Sequence, residues 1–294
     1  MGFGRYLHNM RIVPKGTQQP HARDKVAFVL SGGGVLGSIQ VGQLEALRAA
    51  GIQPDFYVAA SVGGLNAATV AADADADALA RLREVWTSLR TEDLFPGSRV
   101  QRAWHFVRRG DHLYANTGIR RLIDMIPVRR FEQMHTPLSV VAANLRTGRE
   151  QWFETGPITP AILASSALPG IFPPVLVDGE LYVDGGVVNN VPISRAVALG
   201  ATTVYVLTCG APQTPLRPIN RPLDVLMQAV AHSRAARVEV DMSRFAREAQ
   251  ILMVPVPDTG YIRFNDLTHT ERLIDEARDA TSGWLASARV DAVT

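Results

Sequence analysis

The chain has 294 residues, 47% of them hydrophobic and 20% charged, which allows a large buried core and excludes a disordered or low-complexity protein. A formal net charge of +2, with no recognition motif, argues against a nucleic-acid binder, and the single cysteine excludes an internal disulfide framework. Apolar runs of strand length alternate with helical patterns, which predicts an α/β fold: a three-layer α/β/α arrangement around a central, mostly parallel sheet.

Residues 1–24 carry Arg5, Arg11, Lys15 and Arg23 without an apolar stretch or a small-residue cleavage site. They read as a loosely ordered basic lead rather than a secretory signal. Tyr6 stands where a myristoylation start needs Ser or Thr. A single domain is expected from residue 25 to residue 294. It opens with a buried strand, Val26 to Leu30, followed by the turn Ser31-Gly32-Gly33-Gly34-Val35-Leu36-Gly37 and a helix ending near Gly51. Glycines leave backbone N–H groups free to face a ligand, and the positive end of the helix favours an anion, either a phosphate or the oxyanion of acyl transfer. Gly32-x-Gly34-x-x-Gly37 also fits a dinucleotide fingerprint. The acidic residue with nearly the right spacing, Asp55, precedes the second strand instead of ending it, which disfavours that reading.

The second strand, Phe56 to Ala60, stops at Ser61 and resumes as Val62-Gly63-Gly64-Leu65-Asn66-Ala67-Ala68. A strand that turns sharply into a helix holds a hydroxyl in the open and needs small neighbours, here Ala59, Ala60 and Gly63. The competing reading is a serine that caps a buried helix. Asp73-x-Asp75-x-Asp77 with Glu84 echoes a calcium-loop spacing, but Ala78 replaces the bend glycine and Arg81 brings a positive charge, so the acidic run reads as the start of a helix from Ala78 to Leu89. Eight arginines then lie between Arg99 and Arg130, interleaved with Trp104, Phe106, Leu113 and Tyr114. This segment is expected to be a lid-like helical insertion whose face either meets an anionic membrane peripherally or is an ordinary solvated surface with core-facing aromatics.

Further strands are expected at Leu138 to Ala143, Gln151 to Phe153, Val175 to Val177 and Leu181 to Val183, the last two joined by a hairpin turn at Asp178-Gly179. Asp184 ends its strand and enters the glycine turn of Gly185 and Gly186. A carboxylate there either takes a proton directly from a nucleophile or satisfies its own turn. The strand Thr203 to Thr208 leads to Cys209, expected to be a buried, inert thiol that fits a reducing, cytoplasmic compartment. Helices Pro222 to Arg247 and Thr268 to Ala286 flank a strand at Ile251 to Val254, and Leu273, Ile274, Ala277 and Trp284 form a packing stripe. Ser61, Asp184 and then His232 or His269 keep the chain order of an ordinary α/β-hydrolase triad, although only one strand–helix unit precedes Ser61. No histidine spacing suggests a metal site, and glycines or prolines interrupt both long uncharged runs, so no transmembrane helix is expected.

The glycine turn, the Ser61 turn and the Asp184 turn, in that order, together resemble the patatin-like phospholipase family, and Ala164-Ser165-Ser166-Ala167-Leu168-Pro169-Gly170-Ile171-Phe172-Pro173-Pro174 is similar to the family segment that leads toward the aspartate strand. The resemblance implies a patatin-like catalytic domain with a Ser–Asp dyad of Ser61 and Asp184. It implies an oxyanion hole at Gly32, Gly33 and Gly34, with Gly37, Ala59, Gly63, Gly185 and Gly186 supporting the motifs. Lipid or other acyl-ester substrates are implied, without a cofactor. Leu36 stands where members commonly carry Arg or Lys, Ser31 where they carry Asp and Ala59 where they carry Gly; the missing cation bears on head-group preference more than on catalysis.

Overall fold

The computed structural model describes residues 24–73, 77–95, 112–210, 222–260, 262–263 and 265–291. The lead expected over residues 1–24 (all but Asp24) and the first part of the expected insertion, 99–111, lie outside them. Among the described residues one sheet has eight strands: β1 (Val26–Leu30), β2 (Phe56–Ala60), β3 (Leu138–Asn144), β4 (Glu150–Phe153), β5 (Val175–Val177), β6 (Glu180–Asp184), β7 (Thr203–Leu207) and β8 (Gln250–Met253). The order is β5-β6-β3-β2-β1-β7-β8, with β4 also on β3. Strands β3, β2, β1, β7 and β8 run parallel; β4 and β6 run antiparallel to β3, and β5 runs antiparallel to β6. Short links explain the antiparallel part. The turn between β5 and β6 is only Asp178-Gly179, both at positive φ (48° and 81°), and such a link can only double the chain back.

Side chains alternate across β1. Ala27 and Val29 face one side, Phe28 and Leu30 the other, and all four are buried, so helices must cover both faces. On the first face, Ala27, Val29, Val58, Val204 and Val206 pack against α7 (Ile193–Ala198) and α8 (Pro222–Phe245) through Ile193, Ala196 and Phe245. On the second, Phe28, Leu30, Tyr57 and Val140 pack against α1 (Ser38–Ala49), α2 (Val62–Ala71), α3 (Asp77–Ser88) and α6 (Ile158–Ser165). The C-terminal helix α9 (Thr270–Asp291) lies on α1, burying Leu273, Ile274 and Ala277 as the stripe predicts. Leu36 belongs to that apolar contact, which gives its side chain a packing role. The contact is close: a Cβ on Gly42 would lie 2.0 Å from the Ile274 carbonyl oxygen. No described helix is long and apolar enough to cross a membrane.

The register of β3 decides which strand ends meet. Strand β4 pairs with β3 from Val140 to Ala143, so it occupies one flank; β2 pairs with Leu138 to Val141 and β6 with Ala142 to Asn144, so both occupy the opposite flank. They meet end to end there, with Ala60 opposite Val141 and Asp184 opposite Ala142. Consecutive residues of one strand thereby bring the end of β2 against the end of β6.

Candidate active site

Ser61 follows β2 directly and precedes α2, with φ 53° and ψ −130°. A non-glycine residue at positive φ costs roughly 1–3 kcal/mol and persists only where neighbours dictate it. Those neighbours are tight. A Cβ on Gly63 would lie 2.5 Å from the Leu30 carbonyl oxygen and 2.7 Å from that of Ser31, so only glycine lets α2 start against β1. Ser61 stands at the helix N-cap position yet its hydroxyl makes no capping bond. Instead Oγ donates to Asp184 Oδ2 at 2.6 Å. The Ser61 N–H donates to Ser165 Oγ at 2.8 Å, a contact that no local sequence signal announces.

Asp184 is 2% exposed. Its Oδ1 accepts the Gly186 N–H at 2.7 Å, so one carboxylate oxygen satisfies the turn while the other meets the serine. Burial raises its pKa above the ordinary carboxylate range; the positive charge of Arg234 and then the bonds from Ser61 and Gly186 oppose that rise. Gly185 must be glycine where β6 runs into the end of β2, since a Cβ there would lie 2.2 Å from the Val141 carbonyl oxygen. The end of α6 and the residues just after it hold both partners: Ser165 takes the Ser61 N–H, and the Ala167 carbonyl accepts the Asp184 N–H at 2.9 Å.

The glycine turn crosses the same site. A Cβ on Gly32 would lie 2.9 Å from Ser61 Cβ, and one on Gly33 would lie 2.1 Å from Cys209 Cβ. Of the three glycines expected as oxyanion donors, Gly32 directs its N–H to the Asn190 carbonyl at 3.2 Å. Gly33 and Gly34, the latter at φ 59°, line a cavity of about 200 Å³ together with Ser61 and Asp184. The other walls are mainly apolar: Leu94 of α4 (Thr91–Leu94), Phe95, Ile119 and Leu122 of α5 (Thr117–Asp124), Leu168 and Phe172. Gly37 backs the turn, since a Cβ there would lie 2.6 Å from a Val62 methyl.

His232 is exposed beside Gln228, 3.0 Å away, and His269 lies 3.8 Å from Asp266; neither bonds to Ser61 or Asp184. Asp55 accepts the Val26 N–H at 2.7 Å, at the opposite end of the sheet from Ser61. Asp73 is ion-paired with Arg81 at 2.9 Å, Asp75 lies outside the described residues, and among those described no three His, Cys, Asp or Glu side chains are grouped to hold a metal. Within the expected insertion, Trp104 and Phe106 lie outside the described residues, while Tyr114 is buried against Phe95 and Phe172, with ring centroids 5.2 and 6.4 Å away. Tyr114 therefore belongs to the core and not to an exposed aromatic face.

The family model described as patatin-like phospholipase matches residues 28–197, which include every one of these turns. The chain belongs to the patatin-like phospholipase family. An uncharacterized NTE family protein of Mycobacterium tuberculosis is 30% identical over 217 residues, covering 69% of this chain and 53% of that protein. The lysophospholipase nte1 of Aspergillus terreus is 27% identical over 193 residues, 63% of this chain and 12% of that protein. This chain thus spans about half the length of the mycobacterial relative and a small part of the fungal one. Among solved structures, VipD from Legionella pneumophila aligns with a TM-score of 0.48 and 15% identity over 90% of this chain and 67% of that chain.

Proposed function

We propose that this chain is a serine lipid acyl hydrolase that cleaves acyl ester bonds of phospholipids or other glycerolipids, with Ser61 as nucleophile and Asp184 as its base. The 2.6 Å bond from Ser61 Oγ to a buried carboxylate oxygen carries the reading, because it poises proton removal without an imidazole. Asp184 Oδ2 takes the hydroxyl proton as Oγ attacks the ester carbonyl. The Gly33 and Gly34 N–H groups face the oxyanion of the tetrahedral intermediate, each such donor being worth about 3 kcal/mol. Collapse expels the alcohol, which receives the proton from Asp184. Water then gives a proton to the same carboxylate as it attacks the acyl carbonyl; collapse releases the fatty acid, and Asp184 returns the proton to Ser61 Oγ. The apolar cavity suits an acyl chain.

Ser61→Ala and Asp184→Asn should each lower kcat/KM for a short-chain nitrophenyl ester by about 10³-fold or more, with unchanged far-ultraviolet circular dichroism. A fluorophosphonate probe should label Ser61 in the parent and nothing in Ser61→Ala. Near-parental turnover by either variant would overturn the assignment.

A further inference from the structure

Arg234 lies on α8, beyond the residues 28–197 that the family model covers. Its Nε donates to the Gly186 carbonyl at 2.7 Å, the Gly186 N–H donates to Asp184 Oδ1 at 2.7 Å, and Asp184 Oδ2 accepts from Ser61 Oγ at 2.6 Å. A guanidinium, a glycine, a carboxylate and a hydroxyl are thus joined in one line. The same arginine lines the cavity beside Ser61 and Asp184.

Its charge has no closer claim on it. Among the described residues no carboxylate pairs with Arg234, whereas Arg237, one turn further along α8, is engaged by Asp241 at 3.1 Å and Glu150 at 3.2 Å. Among the described residues, the elements around Asp184 bring no other charge to it: the turn into α2 brings Ser61, β3 brings Ala142, and the segment after α6 brings the Ala167 carbonyl. A buried carboxylate with a single cationic neighbour depends on that neighbour to stay ionised.

We propose that Arg234 is a positioning residue for the reaction: it clamps the Gly186 turn that aims Asp184, and its guanidinium favours the charged form of that carboxylate. This role rests on Asp184 acting as the base for Ser61. It also gives the C-terminal third of the chain a direct part in the chemistry, since α8 reaches the site through this side chain. Burial, which pushes the Asp184 carboxyl up, is opposed first by Arg234, in keeping with the geometry.

The test is the pH dependence of kcat/KM on an uncharged short-chain nitrophenyl ester, read at the isosbestic wavelength of nitrophenol, for the parent, Arg234→Gln and Arg234→Lys. Arg234→Gln should shift the acid limb to higher pH, lose about tenfold or more at neutral pH and regain most of that loss in alkaline buffer. Arg234→Lys should keep the limb near that of the parent. An equal loss at every pH in Arg234→Gln would show a merely structural role, and a limb moved as far by Lys as by Gln would show that charge is not the cause; either result overturns the proposal. Fluorophosphonate labelling separates the two levels of failure. A parent labelled at Ser61 with an unmoved limb defeats the role of Arg234 alone, whereas a parent without that label defeats the dyad and the proposal with it.

Discussion

At the scale of single residues, the site sets a strained serine against a buried acid, and each should leave a measurable trace. The folded state raises the Asp184 pKa, with burial as the main cause, above its value in the unfolded chain. The stability linked to that group is therefore fully present below the unfolded pKa and is lost as pH rises through the folded one. Asp184→Asn, which keeps an acceptor for the Gly186 N–H, should raise the melting temperature by a few degrees at neutral pH and not at all well below the ordinary carboxylate range, as read by calorimetry. Ser165→Ala should act in the opposite direction. It leaves the Ser61 N–H without its acceptor, at a cost of about 1–3 kcal/mol in urea denaturation, and it should also lower kcat. Ser61 and Asp184 were legible in the sequence because each sits between small residues at the end of an apolar run. The contacts of Ser165 and Arg234 were not: Ser165 lies in the family-like segment from Ala164 to Pro174, but nothing there names its partner, and a lone arginine on a helix carries no local pattern. Ser165 meets Ser61 across 104 positions of chain, and only the assembled sheet brings them together.

At the scale of elements, the strands and helices were readable wherever hydrophobic period and turn chemistry agree, as at β1, β2 and the Asp178-Gly179 hairpin. Their ends were less so. Strand β3 runs on to Asn144 because β6 pairs there, and β8 starts at Gln250 because β7 offers it a partner, neither of which is encoded nearby. Close contacts between elements were legible only as glycines without a stated neighbour. Gly63→Ala would drive a methyl group into two carbonyl oxygens of β1 and its turn. It should cost about 2 kcal/mol or more and displace Ser61, so that esterase activity falls further than stability alone accounts for.

At the scale of the whole molecule, helices on both faces seal the sheet, and Cys209 lies in the seal. Burial pushes its thiol up to about 12 against the opposing bond to Ser31, and its side chain fills the space a larger residue at Gly33 would need. Ellman's reagent should find no thiol in the native protein and one equivalent in guanidinium chloride, with a rate that follows global unfolding. Fast reaction in native buffer would show that the glycine turn opens on its own. Membership of the family was legible from four short segments, whereas the share taken by α8 and α9 was not, because α9 joins the fold by packing and α8 by packing and the Arg234 bond to Gly186 rather than by motifs.

Strand β3 contributes no side chain to the Ser61–Asp184 pair, yet it is the gauge against which that hydroxyl and that carboxylate are set. Each residue of a strand advances about 3.3 Å, more than a short hydrogen bond can absorb. One residue inserted between Val141 and Ala142 would part hydroxyl from carboxylate by that step and turn the following side chains to the other face. The spacing of this silent strand should therefore tolerate exchange of side chains far better than any change in its length.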